Sequence, residues 1–368
     1  MSGEKKIKVA LVYLGRKGGG PVYSLEIAKQ LQHKADLACV ISAQVDNLAS
    51  WQKDVKGITL VKTYTNFLEF SLSFLDLPRF LALRRKIKEL NPDVLYFPFF
   101  HFYLPLISWW FKGIPQVYTA HDPVLHSGEK SSLTSVLQNK LIQKSQRVII
   151  LSSAFKKDIP KSADRVDVIP HGIFDYYLEQ VQDQSEKPHP PTLLFFGRIV
   201  DYKGLDLLLK AFPIVQKALP QACLLIAGSG NLEPYQNLLK GQKGIILENK
   251  WIDDQNVAGY FLQSDILVCP YRDASQSGAI PVAYVFKMPV IATRVGGLIE
   301  QVEDQKTGIL VEGGNVEKIA QACIRLLQNE DQRKRFGQAG YQKATTQWSW
   351  EGISDQVLTS LKKAMRNS

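Results

Sequence analysis

The chain has 368 residues, enough for two domains of ordinary size, each with its own hydrophobic core. Hydrophobic residues make up 45% of the sequence and charged residues 22%, values that exclude a disordered or fibrous protein. The four cysteines are scattered without a C-x-x-C pair, which excludes a disulfide scaffold and the usual zinc patterns. The net charge of +10 suits phosphate-bearing substrates or an anionic membrane face better than nucleic acid, because no nucleic-acid-binding motif accompanies it.

Short apolar runs rich in β-branched residues alternate with stretches of helical period along most of the chain. The first half contains seven predicted strands: Ile7–Leu14, Leu37–Ile41, Ile58–Lys62, Val94–Phe97, Gln116–Thr119, Val148–Leu151 and Val166–Ile169. The second half contains six: Thr192–Phe196, Ala222–Ala227, Gly244–Leu247, Ile266–Cys269, Pro289–Thr293 and Gly308–Val311. Strands that are apolar throughout and alternate with helices, such as Leu205–Leu219 and Val316–Leu327, predict two α/β domains with parallel sheets.

The predicted boundary between the domains is a polar, proline-rich stretch without periodicity. We expect an N-terminal domain over residues 1–180, a linker over 181–191 and a C-terminal domain over 192–349. Residues 348–365 read as one or two amphipathic helices with no strand after them. We expect this terminal segment, about 350–368, to pack back on the first domain. The apolar stretch in the opening residues is too short for a membrane span, and it lacks a signal-peptide cleavage site. We therefore expect a cytoplasmic protein.

Open parallel sheets bind ligands beyond the carboxyl ends of their strands, so the loops that follow strands are the candidate sites. The first strand is followed by a glycine-rich loop, Gly15–Pro21, whose amides at a helix start suit an anion. It is not a dinucleotide fingerprint, because Tyr23 stands at the third glycine position. A tight turn without a ligand is the alternative.

His121 follows the fifth strand and either contacts a sugar hydroxyl or merely ends the strand.

Two further loops lie in the second half. Arg198 and Lys203 follow its first strand, and a guanidinium with an ammonium at this place suits phosphate oxygens better than it suits a surface salt bridge. The segment Pro270–Pro281 carries small residues ahead of a helix and presents backbone amides to an anion, unless it is an ordinary loop.

Together these stretches resemble the nucleotide-sugar glycosyltransferases with the GT-B fold, in particular the large retaining family called group one or family four. The resemblance rests on VIPHGI (168–173), FFGRIVDYKGLDLLLKAF (195–212), LLIAGSG (224–230), SDILVCPY (264–271) and MPVIATRVGGLIEQV (288–302). It implies two Rossmann-like doubly wound domains facing a cleft, with the acceptor on the N-terminal domain and the donor on the C-terminal one.

The resemblance also implies roles for individual residues. Arg198 and Lys203 would bind the donor diphosphate and act with His121, which stands where the family has its active-site histidine. The other donor-binding positions are Gly18, Gly19, Gly20, Gly197, Asp273, Gln276, Ser277, Gly278, Ala279, Ile280 and Glu300, with the nucleotide base at Asn249, Lys250, Trp251 and Ile252.

One departure from the family concerns its two glutamates separated by seven residues. The corresponding positions are Ala274 and Val282, with Asp273 displaced by one position from the first. Either the chain uses a Gln-Ser-Gly form of this loop, or donor binding is weakened.

The expected reaction breaks a sugar–phosphate bond, and Arg198 and Lys203 would stabilise the charge that grows on the departing diphosphate. No D-x-D motif is present, so we expect no metal and no cofactor besides the nucleotide-sugar substrate. A retaining outcome is inferred from the family. A non-catalytic nucleotide- or sugar-binding module is the main alternative, and an epimerase or a nicotinamide-dependent oxidoreductase fits the motifs less well.

The expected acceptor is a saccharide or a polyprenyl-diphosphate-linked sugar in bacterial polysaccharide synthesis. Asn66–Leu90 and Val94–Phe111 combine aromatic residues with a basic cluster, as a segment resting on an anionic membrane does. This predicts a peripheral contact at the inner face of the cell membrane; the alternative is that both segments are ordinary core elements with a solvated basic face.

Overall fold

The computed structural model describes residues 6–73, 75–123, 133–178, 181 and 189–366. The described chain divides into two units. The first holds the residues up to Pro170 together with the helix Trp350–Arg366, and the second runs from His171 to Ser349. Most of the predicted linker, residues 182–188, lies outside the described residues.

The first unit is built on a parallel sheet that has seven strands within the described ranges. They are β1 (Lys8–Tyr13), β2 (Asp36–Ser42), β3 (Ile58–Val61), β4 (Val94–Phe97), β5 (Gln116–Ala120), β6 (Arg147–Ile150) and β7 (Val166–Val168). Their order across the sheet is β3-β2-β1-β4-β5-β6-β7. The order reverses direction after β1, so the loop after β1 lies at the switch point where such sheets bind ligands.

Helices cover both faces of this sheet, as apolar parallel strands require. In chain order they are α1 (Gly19–Lys34), α2 (Leu48–Asp54), α3 (Phe67–Ser73), α4 (Leu77–Glu89), α5 (Leu104–Trp110) and α6 (Leu133–Lys144). The core on the α4 and α5 side contains residues such as Val12, Leu83, Leu95 and Ile107, all almost fully buried.

The second unit has six parallel strands among its described residues. They are β8 (Thr192–Phe196), β9 (Cys223–Ala227), β10 (Ile245–Glu248), β11 (Ile266–Cys269), β12 (Val290–Thr293) and β13 (Gly308–Val311), in the order β10-β9-β8-β11-β12-β13. Its helices are α7 (Leu205–Ala218), α8 (Gln236–Leu239), α9 (Asp254–Leu262), α10 (Ala279–Val285), α11 (Leu298–Gln301), α12 (Val316–Gln328) and α13 (Glu330–Gln347).

The amphipathic pattern of α7 shows how the sequence directs this packing. Leu205, Leu208, Phe212 and Val215 recur at helical spacing and are fully buried against the sheet, while Lys210 points to solvent. Every strand in both units begins and ends within one residue of a predicted strand. The two α/β sheets expected from the sequence are confirmed.

The last described helix, α14 (Trp350–Arg366), packs in the first unit, on the side of α1. Lys34 of α1 donates to the Asp355 carboxylate at 2.6 Å, and the Trp350 ring lies edge-on to Tyr23 with centroids 5.5 Å apart. Ser360 donates to the Asp167 carboxylate at 2.6 Å. The helix α14 therefore belongs to the first unit.

The second unit begins at His171, before the position 180 that the sequence gives as the end of the first domain. The reason is tertiary: Ile173 donates its amide to the Trp348 carbonyl at 2.9 Å, and the Tyr177 hydroxyl donates to Asp254 at 3.2 Å. In the described part of the chain, no helix is long and apolar enough to cross a membrane.

Candidate active site

The loop after β8 carries Arg198 and Lys203. Gly197 opens it with a φ of 108°, and Lys203 lies in a short 3-10 turn, Asp201–Lys203, that ends at Gly204 with a φ of 66°. A Cβ at Gly204 would lie 2.1 Å from the Pro270 carbonyl oxygen, so only glycine permits this close approach to the loop after β11.

Lys203 extends back over the start of its own loop. Its ammonium nitrogen lies 5.2 Å from the centroid of the Tyr271 ring, and a Cβ added to Gly197 would come within 2.7 Å of the same nitrogen. The bare Gly197 backbone thus leaves the space that the ammonium group fills. A positive charge is thereby held at the carboxyl edge of the sheet, where an anionic ligand is expected.

Arg198 points into different surroundings. Its guanidinium donates to the Tyr202 hydroxyl at 3.1 Å and lines a cavity of about 850 Å³ together with Asp206 and Lys210. Lys203 is absent from the described lining of that cavity. The structure therefore places the two predicted cations on one loop, with their side chains in separate environments.

The loop between β11 and α10 is held by Gln301. The Ser277 amide donates to Gln301 Oε1 at 2.8 Å, and Gln301 Nε2 donates to the Ser277 carbonyl at 3.0 Å. The Ser277 hydroxyl lies 3.1 Å from the Tyr271 hydroxyl. The Ser277 amide therefore already donates within the protein. The amides at the start of α10 that could donate to a ligand are those of Gly278 and Ala279.

The remaining predicted residues of this region differ in exposure. Gln276 has a buried Oε1 without a hydrogen-bond partner among the described residues, whereas Asp273 is half-buried and Ile280 is fully buried. Glu300 is exposed, and its carbonyl accepts a hydrogen bond from Lys343 at 2.8 Å.

The two positions where the family has glutamates carry apolar side chains inside the core. Ala274 is fully buried and Val282 is 3% exposed. Neither side chain can accept a hydrogen bond, so neither can hold a ribose hydroxyl.

The predicted base-binding residues follow β10. Asn249 uses its amide on Gly230, accepting from the Gly230 amide at 3.0 Å and donating to its carbonyl at 3.2 Å. Lys250 donates to the Glu248 carboxylate at 2.6 Å, and this hydrogen bond raises the pKa of Lys250. Trp251, with 44% of its surface exposed, lines a cavity of about 670 Å³ with Lys250 and Ile252. Asn249 thus braces the loop, while the next three residues line a cavity.

In the first unit, the glycine loop and His121 share neighbours. Gly18 has a φ of 84° and precedes α1, which begins at Gly19. A Cβ at Gly20 would lie 2.8 Å from the Tyr13 hydroxyl and 3.3 Å from the Phe99 ring. The ring of Phe99 in turn lies 4.1 Å from that of His121, centroid to centroid.

His121 is 7% exposed and fixed in place. Its Nε2 lies 3.0 Å from the Pro98 carbonyl oxygen, and because a carbonyl only accepts, Nε2 carries the proton. Tyr23 packs edge-on against the ring at 4.6 Å. The ring is therefore oriented by three neighbours at the carboxyl edge of the first sheet.

Sequence reasoning missed two buried polar residues. Gln301 binds a loop 24 positions away in sequence, which no local pattern reveals. His101 is 5% exposed, accepts from the Tyr103 amide at 3.2 Å, and has a pKa lowered by burial to about 3. The described side chains contain no group of three or more His, Cys, Asp or Glu arranged to hold a metal ion.

Two family descriptions match the sequence. Residues 17–174 match Glycosyltransferase Family 4, and residues 190–329 match Glycosyl transferases group 1. The chain belongs to these glycosyltransferases. The family 4 match includes the glycine loop and His121, and the group 1 match includes Arg198, Lys203 and the loop that Gln301 holds.

Two similar proteins are themselves named as glycosyltransferases. The GDP-mannose-dependent alpha-(1-6)-phosphatidylinositol monomannoside mannosyltransferase of Mycobacterium tuberculosis is 28% identical over 185 residues, 47% of each chain. The D-inositol 3-phosphate glycosyltransferase of Segniliparus rotundus is 26% identical over 289 residues, 71% of this chain and 64% of the relative. The chain thus spans about half the length of the first of these relatives and under two thirds of the second.

The fold of this glycosyltransferase is also that of solved structures. The sucrose-phosphate synthase of Thermosynechococcus elongatus superposes with a TM-score of 0.74 over 98% of this chain and 100% of that one, at 18% identity. The two parallel-sheet units are therefore those of the GT-B fold.

Proposed function

We propose that this protein transfers a sugar from a nucleoside diphosphate sugar to a saccharide or lipid-linked saccharide, with retention of configuration and without a metal ion. The observation that carries the proposal is the Lys203 ammonium, held beside the bare backbone of Gly197 at the carboxyl edge of the second sheet. A fixed cation at this edge suits a diphosphate that gains negative charge as it leaves.

In the proposed reaction, the bond between the anomeric carbon and the diphosphate oxygen breaks and its electron pair goes to that oxygen. Lys203 stabilises the developing charge, and Arg198, on the same loop, turns from Tyr202 to join it. First-turn amides of α10 add donors to the phosphate oxygens. The acceptor hydroxyl attacks from the face that the diphosphate leaves, and the departing phosphate takes its proton.

The first unit supplies the contacts to the transferred sugar and to the acceptor. The Pro98 carbonyl, Phe99 and Tyr23 fix the His121 ring, so its orientation is set before a sugar arrives. The amides near Gly18 and Gly19 open α1 at the switch point of the sheet. These two features would contact the sugar and phosphate groups.

The proposed acceptor is carried on a phosphate-bearing lipid, in bacterial glycolipid or polysaccharide synthesis. Large apolar side chains of α3 to α5 are exposed, among them Leu68 and Trp109 at 69% and 58%. Such residues beside the basic face of α4 suit a peripheral contact with the inner face of the cell membrane. The relative that is named for acting on a phosphatidylinositol mannoside supports an acceptor of this kind.

A thermal-shift panel of UDP, GDP, ADP and their sugar conjugates, with EDTA present, tests the proposal. We expect one nucleotide series to raise the unfolding temperature with increasing concentration, since ligands that bind only the folded state stabilise it. Because the M. tuberculosis relative is named for GDP-mannose, GDP and GDP-mannose are the first pair to test. The variant Lys203→Gln should lose most of the shift.

A non-catalytic binding module remains the second candidate, favoured by the apolar residues at Ala274 and Val282. It predicts a thermal shift with a nucleotide but no release of that nucleotide from its sugar conjugate, even with acceptor present. An absence of any shift would contradict both proposals.

A further inference from the structure

A cavity inside the first unit has neither His121 nor a residue of the glycine loop in its described lining, although Leu14, which directly precedes that loop, lines it. It has a volume of about 160 Å³ and lies between the end of β3 and α4. Its apolar lining consists of Leu14, Val61, Phe80, Ala82, Leu83 and Tyr103. A cavity of roughly 150 Å³ is large enough for a benzene-sized apolar molecule, so this one can take a short stretch of hydrocarbon.

Three cations line the same cavity, and no acidic side chain does among the described lining residues. Arg79 donates to the Thr63 carbonyl at 2.8 Å and pairs with Asp76 at 3.0 Å. Lys86 donates to the Leu60 carbonyl at 2.7 Å.

Lys62 is the exposed member of this set. Within the described residues it makes no salt bridge. Hydrogen bonds from Thr65 lower the pKa of Glu69, and the charge of Lys62 contributes to a smaller extent. The Lys62 ammonium is therefore available to an anion in solvent. Lys86, which donates to a carbonyl and not to a carboxylate, adds positive potential around the cavity, whereas the charge of Arg79 is balanced by Asp76.

The helix that lines this cavity, α4, and the helices before and after it in the chain expose large apolar side chains. The exposed large side chains of α3, α4, α5 and the turn between α3 and α4 are Leu68, Leu72, Leu75, Leu77, Leu81 and Trp109. Exposed large apolar side chains in this number along one segment of the chain suit an interaction surface. Apolar side chains on the surface, an apolar cavity and cations beside it together match one ligand chemistry, a hydrocarbon chain that ends in a phosphate.

We propose that this cavity binds the hydrocarbon chain of the lipid that carries the acceptor, next to its phosphate, with the phosphate at Lys62. The inference rests on the proposed function in placing a lipid-linked acceptor on the first unit. It adds the site at which the lipid itself is recognised.

Binding of monomeric dioctanoyl phosphatidic acid, below its critical micelle concentration, tests the site by titration calorimetry. Dioctanoyl phosphatidylcholine carries the same chains without net charge, and inorganic phosphate carries the charge without chains. We expect the phosphatidic acid to bind, the phosphatidylcholine to bind about tenfold more weakly, and inorganic phosphate to give no heat. Equal binding of phosphatidic acid and inorganic phosphate would show an anion site only and would overturn the proposal.

Two substitutions locate the binding. Ala82→Leu fills the cavity with a residue that favours helices as alanine does, and should weaken phosphatidic acid binding about tenfold. Lys62→Gln should weaken it about fivefold, whereas Lys56→Gln, near the other end of β3, should leave it unchanged. If Ala82→Leu binds the lipid as the unsubstituted protein does, with an unchanged unfolding temperature, the cavity is not the site.

The same preparations separate this inference from the proposed function. The proposed diphosphate site at Lys203 lies in the second unit, so nucleotide binding should be equal in the unsubstituted protein and Ala82→Leu. Loss of lipid binding with nucleotide binding and sugar transfer to a water-soluble acceptor intact supports the cavity. If the lipid binds but the protein never releases nucleotide from its sugar conjugate, the lipid site at the cavity is supported and the proposed transferase activity is wrong.

Discussion

The side-chain amide of Gln301 forms two hydrogen bonds with the backbone of Ser277: its oxygen accepts from the Ser277 amide at 2.8 Å, and its nitrogen donates to the Ser277 carbonyl at 3.0 Å. The pair copies the hydrogen-bonding pattern of neighbouring strands, although one partner is a side chain. It fixes the loop between β11 and α10, from which Gly278 and Ala279 would meet the donor. The backbone carbonyl of Gln301 also accepts from the Tyr284 hydroxyl at 3.2 Å, so Gln301 is hydrogen-bonded to α10 as well.

Replacing Gln301 by leucine should destabilise the second unit by about 2–4 kcal/mol, because a buried amide and a buried carbonyl of Ser277 each lose their partner. Urea unfolding followed by circular dichroism measures this. The neighbouring variant Glu300→Gln is the control, since the Glu300 side chain is exposed, and it should unfold as the unsubstituted protein does. An equal stability of Q301L and E300Q would show that the loop does not depend on the hydrogen bonds between Gln301 and Ser277.

Gly197→Ala should weaken nucleoside diphosphate binding about tenfold or more, because the new Cβ would lie 2.7 Å from the Lys203 ammonium and displace it. A side chain at positive φ also destabilises the fold itself, by about 1 kcal/mol. Gly241→Ala isolates that cost, since Gly241 has a φ of 78° with no atom within 4 Å of its Cβ position. Calorimetric titration of both variants with the nucleotide should separate them; equal affinities would contradict the role of Lys203.

Arg198→Ala should lower the rate of sugar transfer about a hundredfold or more, by analogy with removal of one stabiliser of a developing negative charge. The control is Lys210→Ala, which removes a cation from the same cavity but one that pairs with Asp206 at 3.2 Å. Turnover of R198A near that of K210A would refute the assignment of Arg198 to the diphosphate.

His101 should make the first unit acid-sensitive. Burial lowers its pKa to about 3, whereas an unfolded histidine titrates near 6.5. Because the folded pKa is the lower one, the stabilisation is complete above pH 6.5 and is lost as the pH falls toward 3. At pH 5 the loss is about 2 kcal/mol.

The variant His101→Asn tests this, since its side-chain oxygen can still accept from the Tyr103 amide while nothing titrates. We expect the difference in unfolding free energy between pH 7 and pH 5 to shrink by about 2 kcal/mol in the variant. An unchanged difference would assign the acid sensitivity to other groups.

The fold follows from the sequence because its determinants are local. Strands buried on both faces are apolar throughout, so Thr192–Phe196 and Ile266–Cys269 can be located to the residue. The boundary near His171 could not be located this way. The segment after it is fixed by bonds to Trp348 and Asp254, and such partners leave no periodic signal.

The candidate site divides along the same line. Motifs locate Arg198, Lys203 and His121, because loops after strands are where ligands bind. What each side chain does there depends on partners distant in sequence. Asn249 has the residue type of a base-binding side chain, yet its side-chain amide is hydrogen-bonded to the backbone of Gly230.

The place of α14 in the first unit has a consequence for synthesis. A ribosome releases residues 171–349 before residues 350–366, so the second unit can fold while the first still lacks a helix that covers its sheet. At roughly 5–20 residues per second, the strands beside α1 wait tens of seconds for that cover. During this interval Tyr23 and the face of α1 that Trp350 later buries stay open to water. A chaperone that binds apolar surface would find its target there.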